Sequence, residues 1–261
     1  MTTVWDIYNW IDAKAPFSTQ MDFDNAGLLV GDVNAQVNRI LVALDATLPV
    51  AKEAARRKCQ LVVTHHPLIF HSLKAVTVAD PTQAVVTELI RKNIALICAH
   101  TNLDIAPGGV NDVLMDRLGV KVTGILEPMG ENYGLGRLGE LDPPMEPRAF
   151  AAMVKKALGT KGLRATLGNR PVHKIAVCSG AGGDMVGLAA RVGADAYVSS
   201  DVKHHEFLEA QALGITLLDA GHYATENPMM PVLAEELEHA FGDAGVEVFL
   251  SKTHKEPYIA P

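Results

Sequence analysis

The first residues of the chain carry apolar side chains at the spacing of one helix face. These apolar positions are Val4, Ile7, Tyr8 and Ile11. The spacing predicts an amphipathic helix, which Thr3 can cap and Pro16 ends. The segment that follows, residues 22–31, is rich in turn residues and leads into a strand.

Beyond this point, short apolar runs alternate with stretches of helical spacing. Strands are predicted at residues 40–44, 61–64, 94–99, 134–141, 163–167, 174–178, 196–199, 215–219 and 246–250. Helices are predicted at residues 49–58, 81–92, 110–118, 148–158, 185–192, 205–213 and 228–241. This rhythm, with strands that are apolar almost throughout, predicts an α/β fold of mostly parallel sheets covered by helices.

A glycine- and proline-rich stretch at residues 127–139 marks a change of structural unit. On either side of it, a strand, a helix and a second strand lead to polar residues, once over residues 40–66 and again over residues 175–205. Two related α/β halves that arose by duplication would explain this repeat. Any protein built of βαβ units repeats itself in this manner, so both interpretations stay open.

Composition narrows the class of protein. Hydrophobic residues make up 48% and charged residues 20% of the chain, as in ordinary globular proteins. The net charge of −7 argues against a general nucleic-acid binder, but it permits a nucleotide substrate held by a metal. The three cysteines show no CxxC spacing, the N-terminus does not resemble a signal peptide, and no apolar run could span a membrane. We expect a cytoplasmic protein with no membrane partner.

Histidines and carboxylates lie just past three of the predicted strands. These residues are His65, His66, Asp104, His222 and Glu226. In a parallel α/β sheet, ligands bind beyond the carboxyl ends of the strands, so we expect these side chains to form a metal site. Imidazole together with carboxylate suits Zn, Fe or Mn.

Five ligands exceed what one closed tetrahedral zinc site requires, and they fit two metal ions bridged by a carboxylate. Pro67 favours extended backbone at His66, and a chain that turns here would direct His65 and His66 to different ions. A two-metal centre implies hydrolysis of a polarised bond. Taken alone, each residue has a structural explanation, such as a turn for Asp104, so the prediction depends on the whole set.

A second group of residues could assist the metals. His100 precedes Asp104 by one helical turn and could orient a ligand or exchange protons, although a buried structural histidine is the alternative. Asp201 and His204, with His205 beside them, follow another strand end, where a helix cap with exposed histidines is the alternative. We predict His100, Asp201 and His204 as candidate catalytic residues.

The Gly-Ala-Gly-Gly run at residues 180–183 stands between a strand and a helix. Its backbone amides could bind a phosphate, but the run lacks the residues of a P-loop and the spacing of a dinucleotide-binding motif. A tight strand-to-helix turn is the preferred interpretation.

Together these motifs resemble the NIF3-like dinuclear-metal family, whose members are also described as GTP cyclohydrolase 1 type 2 homologues. The matching segments, in family order, are residues 24–28, 64–68, 100–104, 134–139, 179–184 and 219–226. The His-His-Pro and Gly-His-Tyr-x-Thr-Glu motifs are the specific ones. Two serines precede Asp201 where many members have glycine, which leaves the role of Asp201 open.

The resemblance implies that the five residues named above bind two divalent metal ions. It implies two similar α/β halves, with residues 1–126 and 220–261 forming the first and residues 127–219 the second. It also implies a ring-shaped homohexamer with metal sites facing an internal cavity.

Two functions follow from these expectations. The first is a metal-dependent hydrolase that acts on a small nucleotide-like molecule, with cyclohydrolase chemistry implied by the resemblance. The alternative is a non-catalytic metal-binding assembly, acting as a metal carrier or as a scaffold for partner proteins.

Overall fold

The computed structural model describes residues 1–259, and the chain forms two compact units. Unit 1 comprises Met1–Leu103 and Met230–Lys255. Unit 2 comprises Asp104–Met229 and the described residues from Glu256 onward. The predicted domains, which divide the chain at 126/127 and 219/220, stay a prediction. The compact units differ from them, because residues 104–126 and 220–229 lie in unit 2.

Unit 1 contains a five-stranded sheet. Its strands are β1 (Gly27–Val30), β2 (Arg39–Ala43), β3 (Leu61–Thr64), β4 (Ala95–Cys98) and β11 (Glu247–Leu250). The strand order is β1-β4-β3-β2-β11, and every neighbouring pair is parallel except β1 and β4. The main helices are α1 (Val4–Lys14), α2 (Leu48–Arg57), α3 (Pro81–Arg91) and α10 (Met229–Phe241), while the boundary between the units falls within α4 (Thr101–Ile105).

Local sequence explains where α1 begins and which face it buries. The Thr3 hydroxyl accepts a hydrogen bond from the backbone N–H of Asp6, and the Asp6 carboxylate accepts one from the N–H of Thr3, which forms a capping box. Val4, Ile7 and Ile11 are buried. The predicted N-terminal helix and its cap are therefore confirmed.

Unit 2 contains a six-stranded sheet. Its strands are β5 (Lys121–Pro128), β6 (Gly134–Met145), β7 (Arg164–Thr166), β8 (Val172–Val177), β9 (Ala196–Ser199) and β10 (Thr216–Asp219). Its helices are α5 (Val110–Arg117), α6 (Pro147–Leu158), α7 (Val186–Arg191), α8 (His204–Leu213) and α9 (His222–Glu226). The strand order is β5-β6-β8-β9-β10-β7, in which β8, β9 and β10 run parallel and the other neighbouring pairs antiparallel.

The α/β class with two helix-covered sheets is confirmed. The sheet of unit 1 is mostly parallel, as expected, whereas the sheet of unit 2 is mixed because β5, β6 and β7 run antiparallel to their neighbours. Strand β5 is absent from the predicted elements. Most of its side chains are exposed or half-buried, so it lacks the apolar run by which the other strands are recognised.

Both sheets contain the same four-strand arrangement. In unit 1, β2, β3 and β4 lie side by side and parallel, with antiparallel β1 beside β4. In unit 2, β8, β9 and β10 do the same, with antiparallel β7 beside β10. This shared topology supports duplication, and it makes β3 correspond to β9 and β4 to β10.

Each unit has an apolar core of its own on its sheet. In unit 1 the cluster includes Leu41, Val62 and Leu96 from neighbouring strands. In unit 2 a cluster includes Ile175 and Val198. Buried strands of this kind fix the sheet edges rigidly, so residues just past them are held in defined positions. Within residues 1–259, no helix has the length and apolar character needed to cross a membrane.

Candidate metal centre

Three imidazoles cluster at the carboxyl edge of the sheet in unit 1. Strand β3 ends at Thr64 and is followed by His65 and His66, while its parallel neighbour β4 ends two residues before His100. The ring centroids of the three histidines are 5.1, 5.2 and 5.6 Å apart. One ring nitrogen from each lies within 4.8 Å of the others. This spacing suits imidazoles that share the coordination of metal ions.

Two of these rings form hydrogen bonds with carboxylates through Nδ1. Nδ1 of His66 lies 2.7 Å from Oδ1 of Asp45, and Nδ1 of His100 lies 2.8 Å from Oδ1 of Asp24. Since a carboxylate only accepts hydrogen bonds, Nδ1 carries the proton and Nε2 carries the lone pair that can bind a metal. Carboxylate–histidine pairs of this kind support metal-ligating histidines.

His65 is held in the same way by the backbone. Its side chain is fully buried, and its Nδ1 donates to the carbonyl oxygen of Ala99, 2.8 Å away, on the neighbouring strand end. A carbonyl fixes the same tautomer as a carboxylate does, with the lone pair on Nε2. All three rings of the cluster therefore have a defined orientation.

The carboxyl of Asp24, beside the cluster, has a strongly lowered pKa. Burial alone would raise its pKa, but hydrogen bonds from His100, from the hydroxyl of Thr101 and from the backbone N–H of Asn25 outweigh burial and lower the pKa to about 2. Asp24 is therefore ionised at neutral pH. An anion bonded to Nδ1 of His100 increases the electron density that the ring can donate.

Asp45 lies between two histidines of unit 1. Its Oδ1 accepts from His66, and its Oδ2 is 3.4 Å from Nε2 of His254. Burial lowers the pKa of His254, which favours the neutral ring. Sequence reasoning missed Asp24, Asp45 and His254. Asp45 carries a usable signal, because it comes directly after a predicted strand just as His65 does.

In unit 2, His222 and Glu226 lie one turn apart on the short helix α9. Nε2 of His222 is 3.0 Å from Oε2 of Glu226, so the two candidate ligand atoms face the same point. Nδ1 of His222 is 2.8 Å from Oδ2 of Asp201. Asp201 has a φ of +53°, an uncommon conformation for a residue other than glycine. Asp201, whose role the sequence left open, is thus the carboxylate that orients His222.

The glycine-rich turn between β8 and α7 packs directly against the side chains of His222 and Glu226. A Cβ atom on Gly180 would lie 2.1 Å from Oε1 of Glu226 and 3.5 Å from Nε2 of His222. Gly180 also has a φ of +61°, which favours glycine. Glycine is required at this position because the backbone approaches both candidate ligands closely.

Asp104, the remaining predicted ligand, is buried in unit 2 among polar groups. The Ser179 hydroxyl donates to its Oδ1 at 3.4 Å, and the Asn111 side chain donates to its backbone carbonyl at 3.0 Å. Asn111 in turn accepts from the backbone N–H of Ser179 at 2.8 Å. This network fixes the backbone at Asp104.

The three predicted catalytic residues, His100, Asp201 and His204, have different surroundings in the structure. His100 belongs to the three-histidine cluster of unit 1, and Asp201 contacts His222. His204 begins α8 as an exposed residue, and His205 beside it is exposed and lies 3.8 Å from Glu206. The catalytic role of His204 stays a prediction.

The two units place histidines at corresponding points. His100 follows β4 and precedes the carboxylate of Asp104 by four residues, and His222 follows β10 and precedes that of Glu226 by four. Each pair lies at or within a five-residue helix, α4 or α9. His100 thus occupies in unit 1 the topological position that His222 occupies in unit 2.

The cysteines offer a different chemistry. All three are buried, and none of them forms a disulfide. Burial raises the pKa of Cys59 to about 11 and raises that of Cys178 as well. Because the thiolate is the form that binds metal, Cys59 and Cys178 are poor metal ligands, and imidazole and carboxylate remain the candidate donors.

The chain matches the family described as Duf34/NIF3 (NGG1p interacting factor 3) over residues 2–257. A Clostridium perfringens protein named GTP cyclohydrolase 1 type 2 homolog is 36% identical over 256 residues, which cover 97% of each chain. A Clostridium acetobutylicum protein of the same name is 33% identical over 261 residues, covering 98% of this chain and 97% of that protein.

Solved structures agree with this similarity. A hypothetical protein from Staphylococcus aureus superposes with a TM-score of 0.92 at 30% identity, covering 99% of each chain. A Bacillus cereus protein related to NIF3 superposes with a TM-score of 0.93 at 25% identity, covering 100% of this chain and 99% of the other. Fold and site define an α/β protein with two sheets and with histidines at its strand ends. The chain belongs to the Duf34/NIF3 family, as its motifs predict.

Proposed function

We propose that this protein is a metal-dependent hydrolase that binds two divalent metal ions through His65, His66, Asp104, His222 and Glu226. One feature of the histidines supports this most strongly. Nδ1 of His65, His66, His100 and His222 is in each case bonded to a carboxylate or carbonyl oxygen. Rings held in this way are already oriented for a cation, which lowers the entropy lost when they bind it.

The donor set fits the proposed ions. Imidazole and carboxylate without thiolate suit Zn, Fe or Mn. When bound, such ions supply Lewis acidity and lower the pKa of water, as hydrolysis requires. We assign positioning roles to Asp24 and Asp201, which hold His100 and His222. His100 is the proposed acid–base group, and His204 stays a second candidate.

We infer that the substrate is a small nucleotide-like molecule. Two relatives carry the name GTP cyclohydrolase 1 type 2 homolog. A net charge of −7 agrees with a substrate whose phosphates meet bound metal and not a basic surface. From the family resemblance we also propose a homohexamer in the cytoplasm. Sedimentation equilibrium tests the hexamer, and a dominant monomer would contradict it.

Metal-loaded protein assayed against GTP and a panel of nucleotides and phosphoesters tests the function. The paired variant His65→Ala/His222→Ala should lose both bound metal and turnover. The control variant His239→Ala, which removes an exposed histidine of α10, should retain both. If no substrate is turned over faster than by the paired variant, the hydrolase proposal fails. Stoichiometric metal without turnover would then favour the metal carrier or scaffold.

A further inference from the structure

Two exposed phenylalanines lie beside the three-histidine cluster of unit 1. Phe23 is 66% exposed and Phe70 is 41% exposed. Their ring centroids are 6.4 Å apart, and the ring of Phe70 stands at 87° to that of His100 with centroids 6.5 Å apart. Phenylalanine is ordinarily among the buried residues, so two neighbouring exposed rings beside a candidate metal centre call for an explanation.

The loops that carry these rings are anchored. Asp24, next to Phe23, accepts hydrogen bonds from His100 and from the first residue of α4. The side chain of Asn25 donates to the carbonyl of Ile69, the residue before Phe70, at 2.6 Å. The two loops are therefore joined to each other and to the histidine cluster. Held in this way, the rings stay exposed without collapsing onto the core.

We propose that Phe23 and Phe70 bind a planar heteroaromatic ring of the substrate and so place its reacting bond at the histidine cluster. The proposal deepens the hydrolase function and rests on it. Aromatic faces attract planar rings in offset or edge-to-face arrangements, which gives stabilisation beyond simple area burial. Since phenylalanine offers no hydrogen bonds, this pair recognises the face of a ring and tolerates different bases.

Stacking of this kind has a measurable size. Replacement of a stacking aromatic by alanine typically weakens binding of one base by roughly 5- to 100-fold. The contribution of phosphate and ribose to ligand affinity should not change, because neither phenylalanine carries a polar group. The predicted signature is a loss of preference for a base-bearing ligand over the same ligand without its base.

Calorimetry on the metal-loaded full chain provides the test, with GMP and ribose 5-phosphate as probes. The wild-type protein should bind GMP at least fivefold more tightly, and Phe23→Ala/Phe70→Ala should bind the two probes about equally. Phe70→Tyr keeps the ring and should keep the preference. Val78→Ala, which trims another exposed apolar residue of unit 1, should behave as wild type. Metal content is measured in every variant.

Two results would overturn the proposal. The first is a wild-type protein without preference for GMP, and the second is a preference that survives in Phe23→Ala/Phe70→Ala. If the second result comes with dissociation of an oligomer, the rings cover a second copy of the chain. Failure of the hydrolase proposal is separate, since it shows as absent metal or absent turnover in the wild-type protein.

Discussion

Hydrogen bonds donated by Nδ1 give four histidines a fixed tautomer, but the acceptors differ in charge. His65 has a neutral carbonyl behind it, whereas His66, His100 and His222 each have a carboxylate. A carboxylate both orients the ring and increases the electron density that the ring can donate. An amide of the same shape keeps much of the orientation and removes the charge, so it separates the two contributions.

Asp24→Asn should therefore lower turnover by roughly 10- to 100-fold, because Asp24 orients the proposed acid–base group His100. Asp24 has its pKa lowered to about 2, so the variant removes a full negative charge. Steady-state turnover of the metal-loaded variant measures the change. Asp22→Asn, an exposed change two residues earlier, is the control. Equal turnover in both variants would show that Asp24 does not position His100 for the reaction.

Some residues of the candidate site could be predicted from sequence and others could not. His65 and His66 could be predicted because two imidazoles follow an apolar strand and precede a proline. Asp24 lies in a turn 76 residues from His100, and nothing local indicates that the two meet. His254 and its partner Asp45 are likewise far apart along the chain. Such partners depend on which loops the folded sheet brings together, which spacing along the chain does not encode.

Among the structural elements, the turn between β8 and α7 limits the space around His222 and Glu226 on α9. Gly180 combines a positive φ with a close approach to Glu226, so an added methyl group would strain the backbone and clash with the side chain of a candidate ligand. Gly159, at the end of α6, has a similar φ of +65° but nothing within 4 Å of an added Cβ. The two glycines thus separate the effect of backbone strain from the effect of crowding.

Gly180→Ala should lower metal affinity at least tenfold, because the side chain of Glu226 must move to make room. Gly159→Ala should leave metal affinity unchanged. Both variants should lose about 1 kcal/mol of stability from the strained backbone. Metal titration and denaturant unfolding measure the two quantities on the same samples. Unchanged metal affinity in Gly180→Ala would mean that Glu226 is not a ligand.

A buried carboxylate on α2 ties the chain after β11 to unit 1. Glu53 accepts hydrogen bonds from the hydroxyls of Ser251 and Thr253, from the backbone N–H of Lys252 and from Arg57. Burial would raise its pKa, but these hydrogen bonds outweigh it and lower the pKa from 4.5 to about 2. The sequence gives no hint of this contact, since the partners are about 200 residues apart.

The lowered pKa of Glu53 determines how the free energy of unfolding changes with pH. Because the folded state lowers the pKa of Glu53, its stabilisation is complete above pH 4.5 and is lost as the pH falls toward 2. Glu53→Gln should lower the free energy of unfolding at pH 7 by about 3 kcal/mol. It should also flatten the pH dependence between pH 4.5 and 2. Glu235→Gln, an exposed change in α10, should do neither when urea unfolding is followed across this range.

At the scale of the whole molecule, one four-strand arrangement occurs in both units, and each ends in a histidine followed four residues later by a carboxylate. The repeat is visible in the sequence because buried parallel strands form continuous apolar runs. The division into compact units is less visible, because β5 has a mostly exposed, weakly patterned sequence yet pairs in the sheet of unit 2. A strand can therefore be predicted from the sequence where it is fully buried, whereas the division of the chain into compact units cannot.

Metal removal should affect the stability of the whole chain. A ligand that binds only the folded state stabilises it by mass action, by about 2.7 kcal/mol at a concentration 100 times its Kd. For a chain of this length, that corresponds to a rise of roughly 5 to 10 °C in Tm. Adding Zn or Mn to chelator-treated protein should produce this rise in the wild type and in His239→Ala. It should be much reduced in His65→Ala and in His222→Ala, because each loses a ligand. Scanning calorimetry measures it, and a full rise in either of these two variants would remove that histidine from the ligand set.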